Sequence, residues 1–257
     1  MRLVLGLLAA LALAVPSPAR AETLVAVPST SVVNISSNFA GTDITVFGSI
    51  ERDRATVSRA SEYHLAVMMF GPRETVVTRR KERTFGLWIN RGARTYVDVP
   101  SFYAVLTNVP IAQVATPEVL KRYQVGIEHL LLPERLDGDA PAEPGDAGFR
   151  SAFLRLKLRT GLYHELPGAV SFLTGNLFRA TIPIPANVPV GTYRIEVRLF
   201  QEGVPLAEQA TSVVVSKTGF EQFTYDLAFT QPVVYGIITV LVALFTGWLA
   251  GVIFRRD

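Results

Sequence analysis

From residue 22 to residue 108 short apolar runs alternate with turn residues. The runs are TLVAV (23–27), SVVNI (31–35), DITVFGSIE (43–51), YHLAVMMF (63–70), ETVVT (74–78), FGLWI (85–89), TYVDV (95–99) and FYAVLT (102–107). In 43–51, Ile44, Val46, Gly48 and Ile50 fall on one side, which is the period of a half-buried strand. Short strands punctuated by Gly and Pro predict a β-sandwich. No long helical stretch separates them, so the pattern excludes a parallel sheet wound with helices.

After Asn108 the period changes. Thr116 and Pro117 suit an N-cap and a first helical residue. Val119, Leu120, Tyr123, Ile127, Leu130 and Leu131 recur at helical spacing and predict a helix over 117–131, which Pro133 stops. Residues 136–148 form an acidic, Gly/Pro/Ala-rich loop, the expected site of proteolysis. Residues 149–160 fit two readings. LRLKLR alternates like a strand, whereas Phe149, Phe153, Leu156 and Thr160 share a helix face that Gly161 would end. The preferred reading is a helix packed back on 117–131. Strand patterns return in AVSFL (169–173) and NLFRATIPI (176–184). Tyr193, Ile195, Val197 and Leu199 then oppose Arg194, Glu196 and Arg198, and Gln201-Glu202-Gly203 turns the chain into a last strand. The fold class expected is mainly β: two immunoglobulin-like β-sandwich regions (22–108 and 164–217), an intervening helical segment (109–163) and one C-terminal transmembrane helix.

The two ends carry a different pattern. Residues 1–21 combine Arg2, an apolar run from Leu3 to Val15, and Ala19-Arg20-Ala21. The run is too short to span a bilayer, and the small residues suit a cleavage site, so 1–21 read as a signal peptide cut between Ala21 and Glu22. Residues 218–231 place Phe220, Phe223 and Leu227 on one face and predict an amphipathic helix at the outer headgroup level. Residues 232–254 hold no charged side chain. A helix over 233–254 is about 33 Å long and crosses the hydrocarbon core. The thirteen Val, Ile, Leu and Phe residues of 233–254 favour insertion by about 4–8 kcal/mol. Arg255 and Arg256 follow at once and set the topology: body outside, tail 255–257 inside. Tyr235 and Trp248 suit anchors at the two boundaries. The expected location is the bacterial inner membrane, crossed once, with a periplasmic body.

Within the span Gly236, Ala243, Gly247, Ala250 and Gly251 line up as one small-residue stripe containing a GxxxG. Such a stripe lets a second helix approach closely, although Gly and Ala are frequent in membrane helices anyway.

Charge and chemistry add mostly exclusions. The formal charge of +3 arises at the ends, and residues 22–231 balance 21 basic against 21 acidic side chains. A nucleic-acid partner is excluded, since a counterion-releasing face needs a basic surplus. A local basic run (Arg79, Arg80, Lys81, Arg83, Arg91 and Arg94 against Glu82) is followed by an acidic one (Glu134, Asp137, Asp139, Glu143 and Asp146 against Arg135). Both suit solvated surface; alternatively they dock on each other or on a partner. The chain has no cysteine, which removes disulfides, thiolate metal sites and cysteine nucleophiles. His64, His129 and His164 form no metal-binding spacing. His64 beside Met68 and Met69 admits a copper reading, but a packed strand explains it better. The Asp137-Gly-Asp139 pair lacks the calcium-loop pattern, and Asn34-Ile35-Ser36 is a chance-frequency glycan sequon. No nucleophile elbow, phosphate loop or dinucleotide fingerprint occurs. The expectation is a chain that is not an enzyme and carries no cofactor.

VVNISSNFAGTDITVFGSI (32–50), GLY (161–163), LFRATIPIPANVPVGTYRIEVRLFQEG (177–203) and the closing TGFEQFTYDLAFTQPVVYGIITVLVALFTGWLAGVIFRR (218–256) resemble the single-pass transmembrane protein family of alphaproteobacteria that carries no assigned activity. The resemblance implies a membrane protein of similar length and supplies no cofactor or catalytic residue. It also implies, loosely, a permease of the sulfite/organosulfonate exporter type as a partner. Three functions follow from the residues. The preferred one is an accessory or interaction subunit of an integral membrane complex. The alternatives are a membrane-tethered hydrolase using one of the histidines and a self-associating structural envelope protein.

Overall fold

The structure, a computed structural model, describes residues 22–36, 38–51, 62–135, 147–218 and 220–253. The signal segment 1–21, the acidic loop 136–146 and Arg255-Arg256 lie outside the described residues.

The protein is mainly β, as the alternating runs predict. The strands are β1 (Thr23–Pro28), β2 (Val32–Ile35), β3 (Thr42–Glu51), β4 (Tyr63–Phe70), β5 (Arg73–Thr84), β6 (Leu87–Pro100), β7 (Tyr103–Thr107), β8 (Glu134–Arg135), β9 (Tyr163–Pro167), β10 (Val170–Phe172), β11 (Leu177–Ile184), β12 (Gly191–Gln201) and β13 (Val204–Lys217). One sheet has the order β1-β3-β11-β10 and a second the order β2-β13-β12-β4-β7-β9. Their inner faces meet in one core. Ile44, Val46, Ile50, Phe178 and Ile182 come from the first sheet; Leu65, Val67, Met69, Ile195, Val197 and Val213 come from the second.

The two β-rich stretches therefore build a single sandwich and not two separate ones. β3 pairs with β11 and β4 with β12, so both sheets join strands from before and after the helical connector. Neither stretch could cover its apolar face alone. The seam is tight at Gly48, directly opposite Phe178. A Cβ on Gly48 would lie 2.2 Å from the Phe178 ring and 2.6 Å from the Val25 carbonyl oxygen. The absence of a side chain is what admits the ring.

The outer face of the larger sheet is covered by the connector. Helix α1 spans Ile111–Val114, α2 Pro117–Tyr123 and α3 Ala147–Arg159, with a short 3-10 turn at Ile127–His129. Val114, Leu120, Val125, Ile127, Leu130 and Phe153 pack on Ala66, Met68, Phe70, Val105 and Phe200. The helix expected over 117–131 stops at Tyr123. Gln124 takes the left-handed conformation (φ 55°) and Gly126 has φ 103°, so the apolar period continues through a broken backbone. The ambiguous 149–160 is helical through Arg159, the last residue of α3, and Thr160 begins the turn. It rests mainly against β5 and β9; Phe153 shares the cluster of Leu120, Val125, Ile127 and Leu130, and Arg150 reaches back, donating to the Glu128 and Leu130 carbonyls.

Three buried phenols tie these layers together. Tyr103 donates to the Gln124 carbonyl (2.7 Å) and accepts from the Gly126 N–H (3.0 Å), fixing the connector to β7. Tyr163 donates to the Pro100 carbonyl at 2.7 Å, and Tyr193 to the Pro189 carbonyl at 2.5 Å. Burial holds all three well above the ordinary tyrosine pKa.

β5 and β6 depart from the expected pattern most. FGLWI is no strand of its own. Phe85 and Gly86 (φ 49° and 81°) form the two-residue turn, and both positive angles suit a tight hairpin. The charged run 79–84 belongs to β5. β4 and β5 run on through Gly71 and Pro72, beside β6 and β7, as one long two-stranded ribbon: Gly71 donates to the Phe102 carbonyl and Ser101 to the Pro72 carbonyl. Register shifts at 74/76 and 79/81 bend it.

Candidate functional site

α4 (Phe220–Thr230) and α5 (Pro232–Ile253) follow β13. The amphipathic segment expected at 218–231 is helical. Tyr225 and Phe229 are exposed on it, one turn apart, with ring centroids 4.5 Å apart. The backbone stays helical across the junction, since Gln231 donates to the Leu227 carbonyl (3.1 Å) and Tyr235 to the Gln231 carbonyl (3.0 Å). Pro232 sits at the first position of α5, where its missing N–H costs least.

α5 has 22 residues, and none is buried in the protein. Among the described residues it is the one helix long and apolar enough to cross a membrane. Its two threonine hydroxyls are satisfied internally. Thr239 donates to the Tyr235 carbonyl at 2.8 Å, and Thr246 to the Val242 and Ala243 carbonyls at 2.8 and 3.0 Å. Neither hydroxyl enters hydrocarbon unpaired.

The predicted stripe is open. A Cβ built on Gly236, Gly247 or Gly251 meets nothing within 4 Å, and Ala243 and Ala250 are exposed beside them. Arg255 and Arg256, which continue the span in the sequence, lie outside the described residues, as does Ala21. Glu22 is described and is tied to the sandwich, accepting from the Tyr63 hydroxyl at 2.7 Å.

The histidines do not come together. His129 ends the 3-10 turn, His64 lies on β4 and His164 on β9. His64 and Met68 share one face of β4 but stand about 13 Å apart along it, and Met69 points to the opposite face, in the sandwich core. They cannot ligate one ion. Among the described residues no group of three His, Asp or Glu side chains is placed to hold a metal. His164 borders a shallow cavity of about 330 Å³ together with Thr42 and Asp43. Its Nε2 is enclosed without a hydrogen-bond partner, and its ring lies 6.0 Å from Phe102.

The best-built ionic cluster is structural. Arg198 bonds Glu196 at 3.0 Å, pairs with Glu208, and lies 4.5 Å over the Tyr123 ring, clamping the end of α2 to β12. Part of the predicted docking between charged runs is present as well. Arg94 lies 3.8 Å from Glu134, where β6 pairs with β8.

Residues 23–256 match the model of a protein family described as "Putative transmembrane protein (Alph_Pro_TM)". The chain belongs to this family. The match runs from β1 through α5 and includes Arg255 and Arg256, so sandwich, juxtamembrane helix and membrane helix are parts of one family unit. No curated protein matches the chain. As a member of this family, the protein is a single-pass membrane protein with a β-rich body, and its most conspicuous unpartnered surface is the membrane helix.

Proposed function

We propose that this protein is a non-enzymatic accessory subunit of an integral membrane complex, held to its partner through α5. It sits in the bacterial inner membrane with the sandwich in the periplasm and residues 255–257 in the cytoplasm. The orientation rests on the leader-like 1–21 and on Arg255-Arg256 after the span. The observation that carries the reading is the open stripe of Gly236, Ala243, Gly247, Ala250 and Gly251. Lipid chains pack on such a face no better than on any other, whereas a second helix gains close contact. The resemblance stated above makes a transporter the natural kind of partner.

Purification from native membranes in mild detergent should bring down an integral membrane protein with the wild-type chain. Gly247→Leu with Gly251→Leu should abolish that association while leaving membrane insertion intact, because Leu fills the stripe and adds hydrophobicity. A wild-type chain recovered as a lone monomer contradicts the proposal, and crosslinking that yields only homodimers moves the reading to a self-associating envelope protein.

The cavity bordered by His164, Asp43 and Thr42 favours a second reading, a membrane-tethered hydrolase. It ranks lower because nucleophilic catalysis needs the imidazole bonded to the hydroxyl it activates, and His164 Nε2 has no partner.

A further inference from the structure

We propose that the tip of the β5–β6 ribbon is a second membrane contact, in which Phe85, Leu87, Trp88 and Ile89 enter the bilayer interface and Arg79, Lys81 and Arg83 bind anionic lipid headgroups. The inference rests on the membrane anchoring by α5 and is independent of the partner proposed above.

Exposure is the first ground. Phe85 is 101% exposed, Leu87 and Trp88 69% each, and Ile89 41%. A soluble surface scatters such residues singly; here four lie within five positions around one turn. Register distributes them in a useful way. Arg83 stands opposite Trp88 and Lys81 opposite Asn90, so two cations and the indole share one face; Leu87 and Ile89 are on the other. An indole at the headgroup level with cations reaching outward is the arrangement a membrane interface selects.

The charges are free for this use. Arg80 and Arg94 lie over the Phe149 ring, at 5.5 and 5.7 Å, and are engaged with α3. Among the described side chains no carboxylate pairs with Arg79, Lys81 or Arg83, and Glu82 stands opposite Ile89 in the register, on the face away from Lys81 and Arg83. The acidic run begins at β8, which pairs with β6 at Thr95 and Tyr96, near the ribbon's base and away from its tip. In an otherwise neutral body the ribbon is where positive charge concentrates, which gives the complement to an anionic surface.

Placement supplies the third ground. Phe70, from which the ribbon continues, is level with Arg194 and through it with Ser212, near the end of β13 that leads to α4 and α5. Gly191 at the same end touches Pro72. The ribbon thus leaves the sandwich at its anchored end. From the β8 contact to the turn it extends about 30 Å, enough to reach the headgroup layer. The span already holds the chain at the bilayer, so a weak tip contact is raised by its high effective concentration. A tapering two-residue turn offers a protein partner little area, whereas a bilayer accepts a narrow wedge.

The test uses the full chain. The protein has two tryptophans, so Trp248→Phe leaves Trp88 as the sole reporter. The variant is reconstituted into vesicles of phosphatidylcholine alone or with phosphatidylglycerol, each containing a lipid brominated near the headgroup. In the anionic vesicles Trp88 emission should move to shorter wavelength and be quenched, and both effects should fall on adding salt or on Arg79→Glu, Lys81→Glu and Arg83→Glu together. These positions are exposed, so thermal unfolding should be unchanged. Trp88 emission identical in detergent and in both vesicles overturns the proposal. So does quenching that ignores lipid charge, or shielding that appears only when a co-purified protein is added. Co-isolation of the partner is read separately, so failure here and failure of the accessory-subunit reading are distinguishable.

Discussion

Gly48→Ala should destabilise the sandwich by about 3 kcal/mol or more, the upper end of overpacking effects. The new methyl would sit 2.2 Å from the Phe178 ring and 2.6 Å from a backbone oxygen. The ring could swing away only by leaving the core, and the Val25 carbonyl belongs to the paired strand β1. Gly175→Ala is the matched control. Its Cβ meets nothing within 4 Å and its backbone is not left-handed, so it should change stability by less than about 0.5 kcal/mol. Denaturant titration of the detergent-solubilised chain measures both. Adding Phe178→Leu to Gly48→Ala should recover part of the loss, because neighbours in contact are not additive. Gly48 lies before the helical connector and Phe178 after it, so this pair tests whether the two stretches form one sandwich. If Gly48→Ala proves neutral, the two strands do not meet as described.

The second large effect is alkaline unfolding. Tyr103, Tyr163 and Tyr193 are fully buried, and loss of hydration raises all three above the ordinary value of 10.0. For Tyr103 the nearby Glu165 and Glu196 add to the rise, while the Gly126 N–H opposes it. For Tyr163 Glu74 adds and Arg73 opposes. In the unfolded chain each phenol releases its proton near pH 10; in the folded protein it keeps it to higher pH. Above pH 10 the unfolded state therefore binds fewer protons, and stability falls as pH rises. Below pH 10 both states are protonated, and these groups add no slope. Each contributes about 1.4 kcal/mol per pH unit, so the three together remove about 4 kcal/mol per unit. Against a total stability of about 5–15 kcal/mol, the body should unfold within roughly one to four units above pH 10. Circular dichroism and tyrosinate absorbance, followed together, should show the buried phenols ionising only as the β signal is lost. Ionisation of every tyrosine with the sandwich intact would mean that these hydroxyls are not sealed in the core.

The sequence made some of this legible for clear reasons. Strands with one buried face announce themselves through alternation, as in Ile44/Val46/Gly48/Ile50 and Tyr193/Ile195/Val197/Leu199. The membrane helix is unmistakable because no charge interrupts 232–254. The sheet order was hidden, since alternation tells which side chains point inward and says nothing about which strand lies beside which. The ribbon was hidden for another reason: Arg79, Arg80, Lys81 and Arg83 are all exposed although they fall on both faces of β5, and a strand without a buried face has no apolar period. Only Gly86, in a two-residue turn between two long polar arms, marked it. The helix over 117–131 was overextended because Ile127 and Leu130 are buried at the right spacing while the backbone breaks at Gln124. Within the candidate site, the small-residue stripe could be read from spacing alone; its openness could not, since that depends on where the sandwich lies. The exposure of the Phe85–Ile89 tip was equally out of reach, because FGLWI looks like a core strand until its neighbours are known.

The central claim is that one helix, α5, holds the sandwich on the outer side of the membrane with the extreme C-terminus inside. The chain has no cysteine, so a single introduced thiol reports its own side without background. Ser212→Cys places one on an exposed position of the sandwich, and Asp257→Cys places one at the tail. In cells with a permeabilised outer membrane, a membrane-impermeant maleimide should label Ser212→Cys at once and Asp257→Cys only after the inner membrane is disrupted. Labelling of the tail in intact inner membranes with protection of the sandwich, or equal labelling of both, would contradict the account.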